Sequence, residues 1–457
     1  RNPGIVPQRD IEKLQVLLAG RQGALDAANA TKQSAAVRVT ALLPAEKASA
    51  EAALAEAQVD LDKTVIRAGY GRSFDIGVFG SIFGHAVTQN PPVLAFQQLD
   101  QEDFRTVFNL SQGPPAPVFP AVPANGRIPL PDGINARARP FTMRLPTLDA
   151  WNVTVQHQLS NDTSFEVSYV GNKGTHVFAG DGPAYNPNQP VAGPGPENLR
   201  KPFFSRFGWT QGINYFGNDA DNRYNALQTK FEHRLPSLNI LAHYTLAATR
   251  NNEDNYFIHN RELGRGPTSF DRKHVFFFTE VWDLPIGRGR RYLTGTGNAL
   301  DYVVGGWQIN STTSWQSGLP FTPSVSGANC SVNSGPCRPD LIGDPDVSDQ
   351  DRNQWFQGGI GAGTPWAKAA DGQFGNAKRG SLRGPAFFQT DLSIFKNFRI
   401  TETVKAEFRA EVFNLFNNVN LGLPTTEVDN PNAGRITGLQ FPNARMRQWQ
   451  FGARIKF

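Results

Sequence analysis

The chain has 457 residues, among them 44 Gly, 33 Pro and 33 Phe, and a formal net charge of +5. This turn-rich and aromatic-rich composition favours β structure over a helical bundle. No run of the sequence approaches the roughly 18 apolar residues that a spanning helix needs, so a helical membrane protein is excluded. The small net charge, spread over interspersed acidic and basic residues, gives no indication of nucleic acid binding.

Residues 10–63 differ from the rest of the chain because they are rich in Ala, Leu, Glu, Gln and Lys and contain no aromatic residue. Apolar residues recur there with loose helical spacing, and Pro44 interrupts the pattern. The stretch therefore predicts two antiparallel helices or one kinked helix. Its second half, AEKASAEAALAEAQVDLDKTVIRAG, resembles the descending coiled-coil arm of HlyD-type periplasmic adaptor proteins.

The resemblance to adaptor proteins ends at Thr64–Gly69, because the continuation YGRSFDIGVFG is not the expected lipoyl strand. The overlapping segment KTVIRAGYGRSFD instead resembles the start of a barrel strand in TonB-dependent receptors, particularly the large Oar-like kind. We therefore predict a helical, coiled-coil segment at 1–63 and a receptor-like domain at 64–457. A natural fusion, a genomic rearrangement or an assembly artefact could each explain the junction.

The first residues, RNPGIVPQRD, contain neither an initiating Met nor a signal peptide. An exported protein should have carried such a peptide, so we expect a start that is processed, truncated or artificial.

Strand signals recur from residue 147 onward, after a proline-rich and loop-like stretch at 77–146. Apolar and polar residues alternate with a period of two, which is the pattern of a strand whose two faces meet different surroundings. The polar positions hold Gln, Lys and Glu, as expected for a strand between lipid and a wet lumen. The alternating segments are 151–159, 165–169, 227–232, 238–244, 307–316, 404–412 and 449–457.

Short turns alternate with long connections through this region, as they do at the two rims of an outer-membrane barrel. We therefore predict an all-β membrane protein, an antiparallel outer-membrane β-barrel that is partial, with about 12 strands by alternation and an N-terminal α-helical hairpin. The expected short turns lie at Asn161-Asp162, Pro236-Ser237 and Thr401-Glu402, and the long connections at roughly 178–203, 250–270, 317–386 and 418–445. The aromatic residues expected at the membrane interfaces are Trp151, Tyr169, Trp282, Trp307 and Trp449.

The resemblance to Oar-like TonB-dependent receptors covers most of 64–457. The segments that support it, in order, are PTLDAWNVTVQHQLSNDTSFEVSYVGNKGTHV, DNRYNALQTKFEHRL, FDRKHVFFFTEVWDLPIGRGRRYL, GGWQINSTTSWQSGLPFTP, RGPAFFQTDLSIFKNF and EFRAEVFNLFNNVN. The resemblance implies energy-coupled uptake of a bulky ligand through a barrel in the bacterial outer membrane. It also implies that the barrel-assembly machinery reads the last strand, with Trp449, Phe451, Ile455 and Phe457 as the signal.

The sequence also departs from the receptor pattern. Such receptors normally have an N-terminal regulatory-like domain, a TonB box and a globular plug, none of which is visible here, and a barrel of roughly 22 strands. We therefore predict the C-terminal portion of a receptor barrel, with outer-membrane lipid and the assembly machinery as partners. The TonB complex is an expected partner only if a plug and a TonB box exist in the full-length protein, and the ligand is not indicated.

Cys330 and Cys337 lie among turn-forming residues in GANCSVNSGPCRPD. We expect a disulfide bond that closes a short loop, which implies an oxidising compartment. Two unpaired thiols are the alternative, whereas a zinc site would need further Cys or His residues nearby.

The sequence shows no pattern that indicates an enzyme. His157, His176, His233, His243 and His274 lack metal-ligand spacing, and GRGRR at 287–291 lacks the context of a phosphate loop. Neither GxSxG nor HExxH occurs. No catalytic residue, cofactor or metal is therefore predicted, and Asp271–His274 is interpreted as a charged strand end.

Two alternative functions stay open at this point. The first is a HlyD-like periplasmic adaptor of an efflux or secretion system, suggested by residues 10–69. The second is a soluble, secreted β-sandwich binding module, which would bury one face of each strand against a second sheet.

Overall fold

The computed structural model describes residues 64–75, 90, 106, 108–116, 124–125, 136–179, 185–252, 256–295, 297–332, 334–401, 403–441 and 446–457. The chain separates into two compact units, Arg1–Val65 and Ile66–Phe457. The helical segment predicted at 1–63 lies outside the described residues. Within them, no helix combines the length and hydrophobicity needed to cross a membrane.

One large antiparallel sheet dominates the described residues. Ten strands form it, and their order in the sheet follows their order in the chain. Alternation of β-branched or aromatic residues with polar ones explains why these segments are extended. The ten are β1 (Thr64–Phe74), β3 (Thr147–Ser160), β4 (Thr163–Val177), β6 (Ala220–Leu235), β7 (Leu238–Asn251), β8 (His274–Asp283), β9 (Trp307–Gln316), β14 (Phe387–Arg399), β15 (Lys405–Phe413) and β16 (Gln448–Lys456).

The remaining described strands are short and lie in the connections. Three two-stranded sheets pair β2 with β5, β10 with β13 and β11 with β12. The sequence predicted about 12 strands by alternation; these extra pairs are two or three residues long, too short to show that pattern. They are β2 (Ala136–Ala138), β5 (Ile213–Tyr215), β10 (Pro320–Phe321), β11 (Asp340–Leu341), β12 (Trp366–Ala367) and β13 (Leu382–Arg383).

Helices are few among the described residues. Two α-helices are α1 (Phe204–Phe207) and α2 (Asn298–Val304), and three single turns of 3₁₀ helix occur at Asn198–Arg200, Arg261–Gly264 and Gly327–Asn329. All of them lie in connections between strands, so the sheet is the framework that positions every other part.

The two ends of the sheet differ in their connections. At one end, which we call the short-turn end, β3 leads to β4 through Asn161 and Asp162, β6 leads to β7 at Leu235–Leu238, and β14 leads to β15 across residues 400–404. At the opposite, long-loop end, the connections run to tens of residues. This is the alternation of rims that the sequence predicted, with one difference: β8 reaches β9 through 284–306, which includes α2.

The hydrophobic cores of the described residues lie in the long connections, apart from Ala220, the first residue of β6. We call the described parts of 178–219, 252–273, 317–386 and 414–447 the loop layer. One core consists of Phe321, Val325, Phe356, Trp366, Ala377 and Val428, and the other of Ala179, Tyr185, Ala220 and Tyr256. The long connections are therefore packed structure, which the sequence analysis, having predicted only their length, did not foresee.

Candidate functional site

The strand registers place alternate residues of the large sheet on two chemically different faces. Val155 lies opposite Val167, Phe165 opposite Phe231, and these pairs continue across the sheet on one side. We call this side the apolar face. Its members include Val153, Val155, Phe165, Val167, Tyr169, Leu227, Phe231, Ile240, Tyr244, Leu246, Trp282, Trp307, Ile309, Trp315, Ile394, Phe408, Trp449, Phe451 and Ile455.

The apolar face is open at the last two strands. Phe408 is 44 % exposed and Phe451 is 65 % exposed, and their rings stack with centroids 6.4 Å apart. Trp449 stacks on Phe451 at 6.3 Å. Among the described residues no second protein layer covers this row, although Val412 at its loop end is buried. An exposed aromatic row of this kind needs an apolar surrounding.

The residues predicted as an assembly signal all lie on this last strand or just beyond it. Trp449, Phe451, Ile455 and Phe457 are all more than half exposed, so their side chains are accessible for recognition. Their role in assembly stays a prediction.

Strand β9 shows how far the apolar face extends along the strand direction. Trp307 and Trp315 lie near its two ends and on the same face, because both pair across to apolar-face residues of β14. Eight residues separate them, roughly 26 Å along a strand and about 20 Å across a bilayer at a tilt of about 40°. The apolar band of outer-membrane barrels is about 25 Å tall, so the spacing fits two interfacial tryptophans.

The five aromatic residues expected at membrane interfaces share the apolar face. Trp151 lies across Gly171, where a Cβ would meet the indole at 2.5 Å, so this glycine leaves room for the ring. Trp282 and Trp307 lie at the short-turn end, and Trp449 lies at the long-loop end. Tyr169 lies mid-strand, where its hydroxyl donates to Asn225 at 2.8 Å.

The opposite side of the sheet, the polar face, contains hydrogen-bonded and charged side chains. Thr154 and Ser168 share a buried hydrogen bond of 2.9 Å. Lys230 contacts Glu232 at 3.1 Å, and Lys456 contacts Glu407 at 3.2 Å. Such a face suits a water-filled lumen. Other polar-face residues are Gln156, Glu166, Gln228, His243, Thr279, Asn310, Thr312, Ser314, Gln389, Asp391, Arg409, Glu411, Gln450 and Arg454.

Strand β8 departs from this separation. Glu280 lies on the apolar face, where it accepts a hydrogen bond of 3.1 Å from Ser311, and Phe277 and Val281 lie on the polar face. The two polar groups on the apolar face thus satisfy each other, which lowers the cost of their position.

A buried ion pair joins two connections of the loop layer. The Asp271 carboxylate, 3 % exposed as a residue, accepts from Arg383 Nη2 at 2.5 Å and from the Thr249 backbone N–H at 2.8 Å. Arg272 donates to the Ser317 carbonyl at 2.6 Å. The segment interpreted from sequence as a charged strand end is therefore a clamp between 252–273 and 317–386. Its partner Arg383 lies 112 residues away in the chain, so no local pattern could identify it.

Cys330 and Cys337 form a disulfide bond within the loop layer, and Cys337 packs against the core that contains Trp366. Asp429, from the connection between β15 and β16, binds the base of this disulfide loop. Its carboxylate accepts from the Ser326 backbone N–H at 2.9 Å and from Asn329 Nδ2 at 2.8 Å. Burial opposes ionisation, but these donors outweigh it and hold the pKa of Asp429 below its usual value.

A basic cavity of about 460 Å³ lies in the loop layer and extends to Arg250 at the loop end of β7. Arg338 and Arg379, 8 % and 7 % exposed, both line it. Arg379 donates to the Gly264 carbonyl at 2.7 Å. The acidic lining residue Glu262 contacts Arg265 at 3.4 Å.

Arg338 lines this cavity and has no acidic partner within the described residues. Burial, reinforced by the charge of Arg379, lowers the pKa of Arg338 to about 10, so it stays protonated at neutral pH. A buried guanidinium such as that of Arg338, with a second one nearby in the lining, can bind an anion. The sequence analysis missed both residues, because 41 positions of irregular chain separate them.

The histidines considered from sequence occupy separate positions. His233 Nδ1 contacts Thr163 Oγ1 at 2.7 Å, and His274 Nδ1 contacts the Tyr244 hydroxyl at 2.8 Å. In the part of the chain that the structure describes, no group of three His, Cys, Asp or Glu side chains could hold a metal ion.

Comparison with known protein families identifies the class of protein to which this sheet, with one apolar and one polar face, belongs. The family model described as an outer membrane beta barrel domain matches residues 56–450. The chain belongs to this family. It is therefore an outer-membrane protein, and its apolar face meets lipid. The predicted antiparallel outer-membrane barrel is confirmed, with a sheet that is open between β1 and β16 in the described residues. The soluble β-sandwich alternative is set aside.

Several solved outer-membrane proteins are similar in part to this outer-membrane barrel. The transporter YddB from Escherichia coli shares 9 % identity over 70 % of this chain and 34 % of its own, with a TM-score of 0.36. The ferripyoverdine receptor of Pseudomonas aeruginosa shares 10 % identity over 69 % of this chain and 27 % of its own, with a TM-score of 0.33. The ferric citrate transporter FecA shares 13 % identity over 68 % of this chain and 31 % of its own, with a TM-score of 0.33.

The chain thus spans about a third or less of the length of these solved structures. A comparison with curated proteins gave no match.

Proposed function

We propose that this outer-membrane barrel is the C-terminal part of a TonB-dependent receptor of the Oar-like kind, which takes up a bulky ligand with energy supplied through TonB. Membership of the outer-membrane barrel family supports the transport class. The ordered segments of 64–457 that resemble Oar-like receptors support the narrower assignment. Coupling to TonB requires a plug and a TonB box in the full-length protein.

The observation that carries the proposal is that the polar face of the sheet and the packed loop layer occur together, with the loop layer at the long-loop end. Glu232 and Lys230 on the polar face would line a wet passage. The basic cavity around Arg338 and Arg379 would provide the first contact for a ligand with anionic groups. A loop layer with its own cores and a disulfide can present such a cavity in a fixed shape.

Uptake measured with and without TonB tests this function. Cells that express the full-length protein are incubated with a mixture of candidate ligands, and depletion of each compound from the medium is followed by mass spectrometry. We expect at least one compound to be depleted only when the protein and TonB are both present. Equal depletion without TonB would contradict energy coupling, and no depletion in any strain would contradict uptake.

A paired variant tests the loop-layer cavity separately. Arg338→Met removes the unpartnered charge while keeping a long side chain, and should reduce uptake of an anionic compound several-fold. Arg206→Met changes an exposed arginine of the same layer and should leave uptake unchanged. Equal uptake by the two variants would remove the cavity from the proposal.

A further inference from the structure

The connection between β8 and β9 contains a helix that lies against the apolar face. Lys396 belongs to that face, because it pairs with Trp307 and Phe408 in the sheet. Its ammonium donates to the carbonyls of Val303, at 3.2 Å, and Gly305, at the carboxyl end of α2. Since carbonyl groups at a helix C-terminus favour a cation, this contact fixes the end of α2 on the membrane side of the wall.

Two further hydrogen bonds hold α2 in this position. Trp307 Nε1 donates to the Val303 carbonyl at 2.9 Å, and the Tyr302 hydroxyl donates to the Arg399 carbonyl at 2.8 Å. The four residues that form these two hydrogen bonds all lie at the short-turn end of the sheet. The helix therefore lies beside the last residues of β14 and the first residues of β9.

The exposed side chains of α2 that the structure describes are mainly apolar. Leu300 is 51 % exposed, Tyr302 is 47 % exposed and Val303 is 65 % exposed. The acidic residue of the helix, Asp301, turns inward and accepts from the Arg288 backbone N–H at 2.6 Å. Ile400, in the adjacent turn, is 54 % exposed. This surface adjoins the apolar face of the wall, because Val303 is bonded to Trp307 and Lys396 of that face.

Basic residues surround the same helix. A cavity of about 790 Å³ is lined by Arg288, Arg290 and Arg399, and Asp301 is the acidic residue in its lining. Arginine binds phosphate with paired hydrogen bonds, and basic residues next to a membrane attract anionic lipids. An apolar surface rimmed by arginines is the composition of segments that lie in the headgroup region.

We propose that residues 284–306 form an interfacial anchor at the short-turn end, in which Leu300 and Val303 enter the bilayer. In this anchor Arg288 and Arg290 bind the phosphate of an anionic phospholipid. The occupant of this surface is lipid, because the surface is continuous with the wall that faces lipid in an outer-membrane barrel. The inference depends on the position of the wall in the membrane and not on ligand uptake.

Spin labelling tests the depth of the anchor. Because both native cysteines are joined in a disulfide, a nitroxide on Val303→Cys is the sole label when the protein is reconstituted in vesicles of phosphatidylcholine and phosphatidylglycerol. We expect oxygen to relax it several-fold more than a water-soluble nickel reagent does, as at Phe451→Cys. Leu199→Cys, in the loop layer and 68 % exposed, should show the opposite preference.

Two outcomes of this labelling would overturn the anchor. A label at Val303 that prefers the nickel reagent, as Leu199 should, would place the helix in water. A label shielded from both reagents would indicate a protein partner instead of lipid.

Native mass spectrometry tests the phosphate contacts. The protein is purified in mild detergent after exposure to phosphatidylglycerol or phosphatidylcholine, and retained lipid is counted. We expect phosphatidylglycerol to be retained in preference, and the double variant R288Q/R290Q to lose this preference several-fold. Arg206→Gln, distant from this end, should retain it. Equal retention by all three proteins, or no preference in the parent protein, would overturn the headgroup contact.

Discussion

Single carboxylates organise the loop layer at the residue scale. Asp271 receives donors from Thr249 and Arg383, and Asp429 receives donors from Ser326 and Asn329. In each case the carboxylate joins its own connection to a different part of the chain, which is β7 and 317–386 for Asp271 and 317–386 for Asp429. Removing either carboxylate should therefore loosen the layer more than removing an exposed charge does.

We expect Asp271→Ala to destabilise the protein by roughly 2–4 kcal/mol. Removing one partner of a buried pair leaves a charge without compensation, and the partial exposure of Arg383 reduces the cost below the roughly 3–5 kcal/mol of a fully buried pair. Thermal unfolding in detergent measures the change. Asp371→Ala is the control, since Asp371 is 84 % exposed beside Lys368 and its loss should cost less than about 1 kcal/mol. Equal shifts for the two variants would show that the clamp is not a stabilising contact.

The disulfide loop should respond to acid through Asp429. Because the folded state holds the pKa of this carboxyl low, its stabilisation is complete above the unfolded pKa of about 3.9 and is lost as pH falls through the folded value. We expect the Ser326 amide to exchange faster below about pH 4, after correction for the intrinsic rate. Asp429→Asn should show faster exchange already at pH 7. The Trp355 amide, which donates to the Gly434 carbonyl, is the control. A pH-independent Ser326 amide would exclude the contact.

Local alternation determines structure at the scale of single strands. The rows at 404–412 and 449–457 predicted extended segments with one apolar face, and β15 and β16 show this arrangement. The period of two alone places Phe451 and Ala410 on the apolar faces of their strands, whereas the register that sets them opposite each other comes from the structure. The helix α2 was not predicted from the sequence, because its seven residues are too few for a helical period to be recognised.

A positive charge should impair folding when it is placed on the apolar face of β16 and should be tolerated on the polar face of the same strand. Phe451→Arg puts a cation on the lipid face, which costs up to about 2–4 kcal/mol near the middle of a bilayer. Gln450→Arg puts the same cation on the polar face, directly opposite Glu411, and should be tolerated. Folding into vesicles, followed by the heat-dependent shift in gel mobility, compares them. If both variants fold equally well, the assignment of the two faces is wrong.

Deletion of Phe457 tests the proposed assembly signal. This residue is 98 % exposed at the short-turn end, so its loss removes no packing. We expect a several-fold decrease of the protein in the outer membrane of cells, whereas folding into vesicles without assembly machinery should be unchanged. Normal amounts in cells would show that the terminal aromatic residue is not recognised.

At the scale of the whole molecule, the described residues combine a wall without a hydrophobic core of its own and a loop layer that contains two cores. Its fold class could be predicted because the wall depends on a local period. The loop layer could not, because contacts such as Ser324 with Glu427 or Asp271 with Arg383 join residues about a hundred positions apart. The basic cavity escaped prediction for the same reason.

The exposed apolar face gives a prediction for the intact protein. Purified protein should be monodisperse in detergent and should aggregate when detergent is removed, because rows such as Phe408 and Phe451 would then face water. Size-exclusion chromatography before and after removal measures this. A monodisperse protein in detergent-free buffer would contradict the lipid-facing wall.

The packed loop layer also determines where foreign sequence can be inserted. Around residues 361–363 the chain is exposed, and Ala362 lies between Gly361 and Gly363, whose positive φ values disfavour a side chain at those two positions. Three positions further on, Trp366 is fully buried against Phe356. An epitope tag or fluorophore site therefore belongs at the glycine tip, and the same insertion displaced by a few residues would disrupt the layer that holds the cavity.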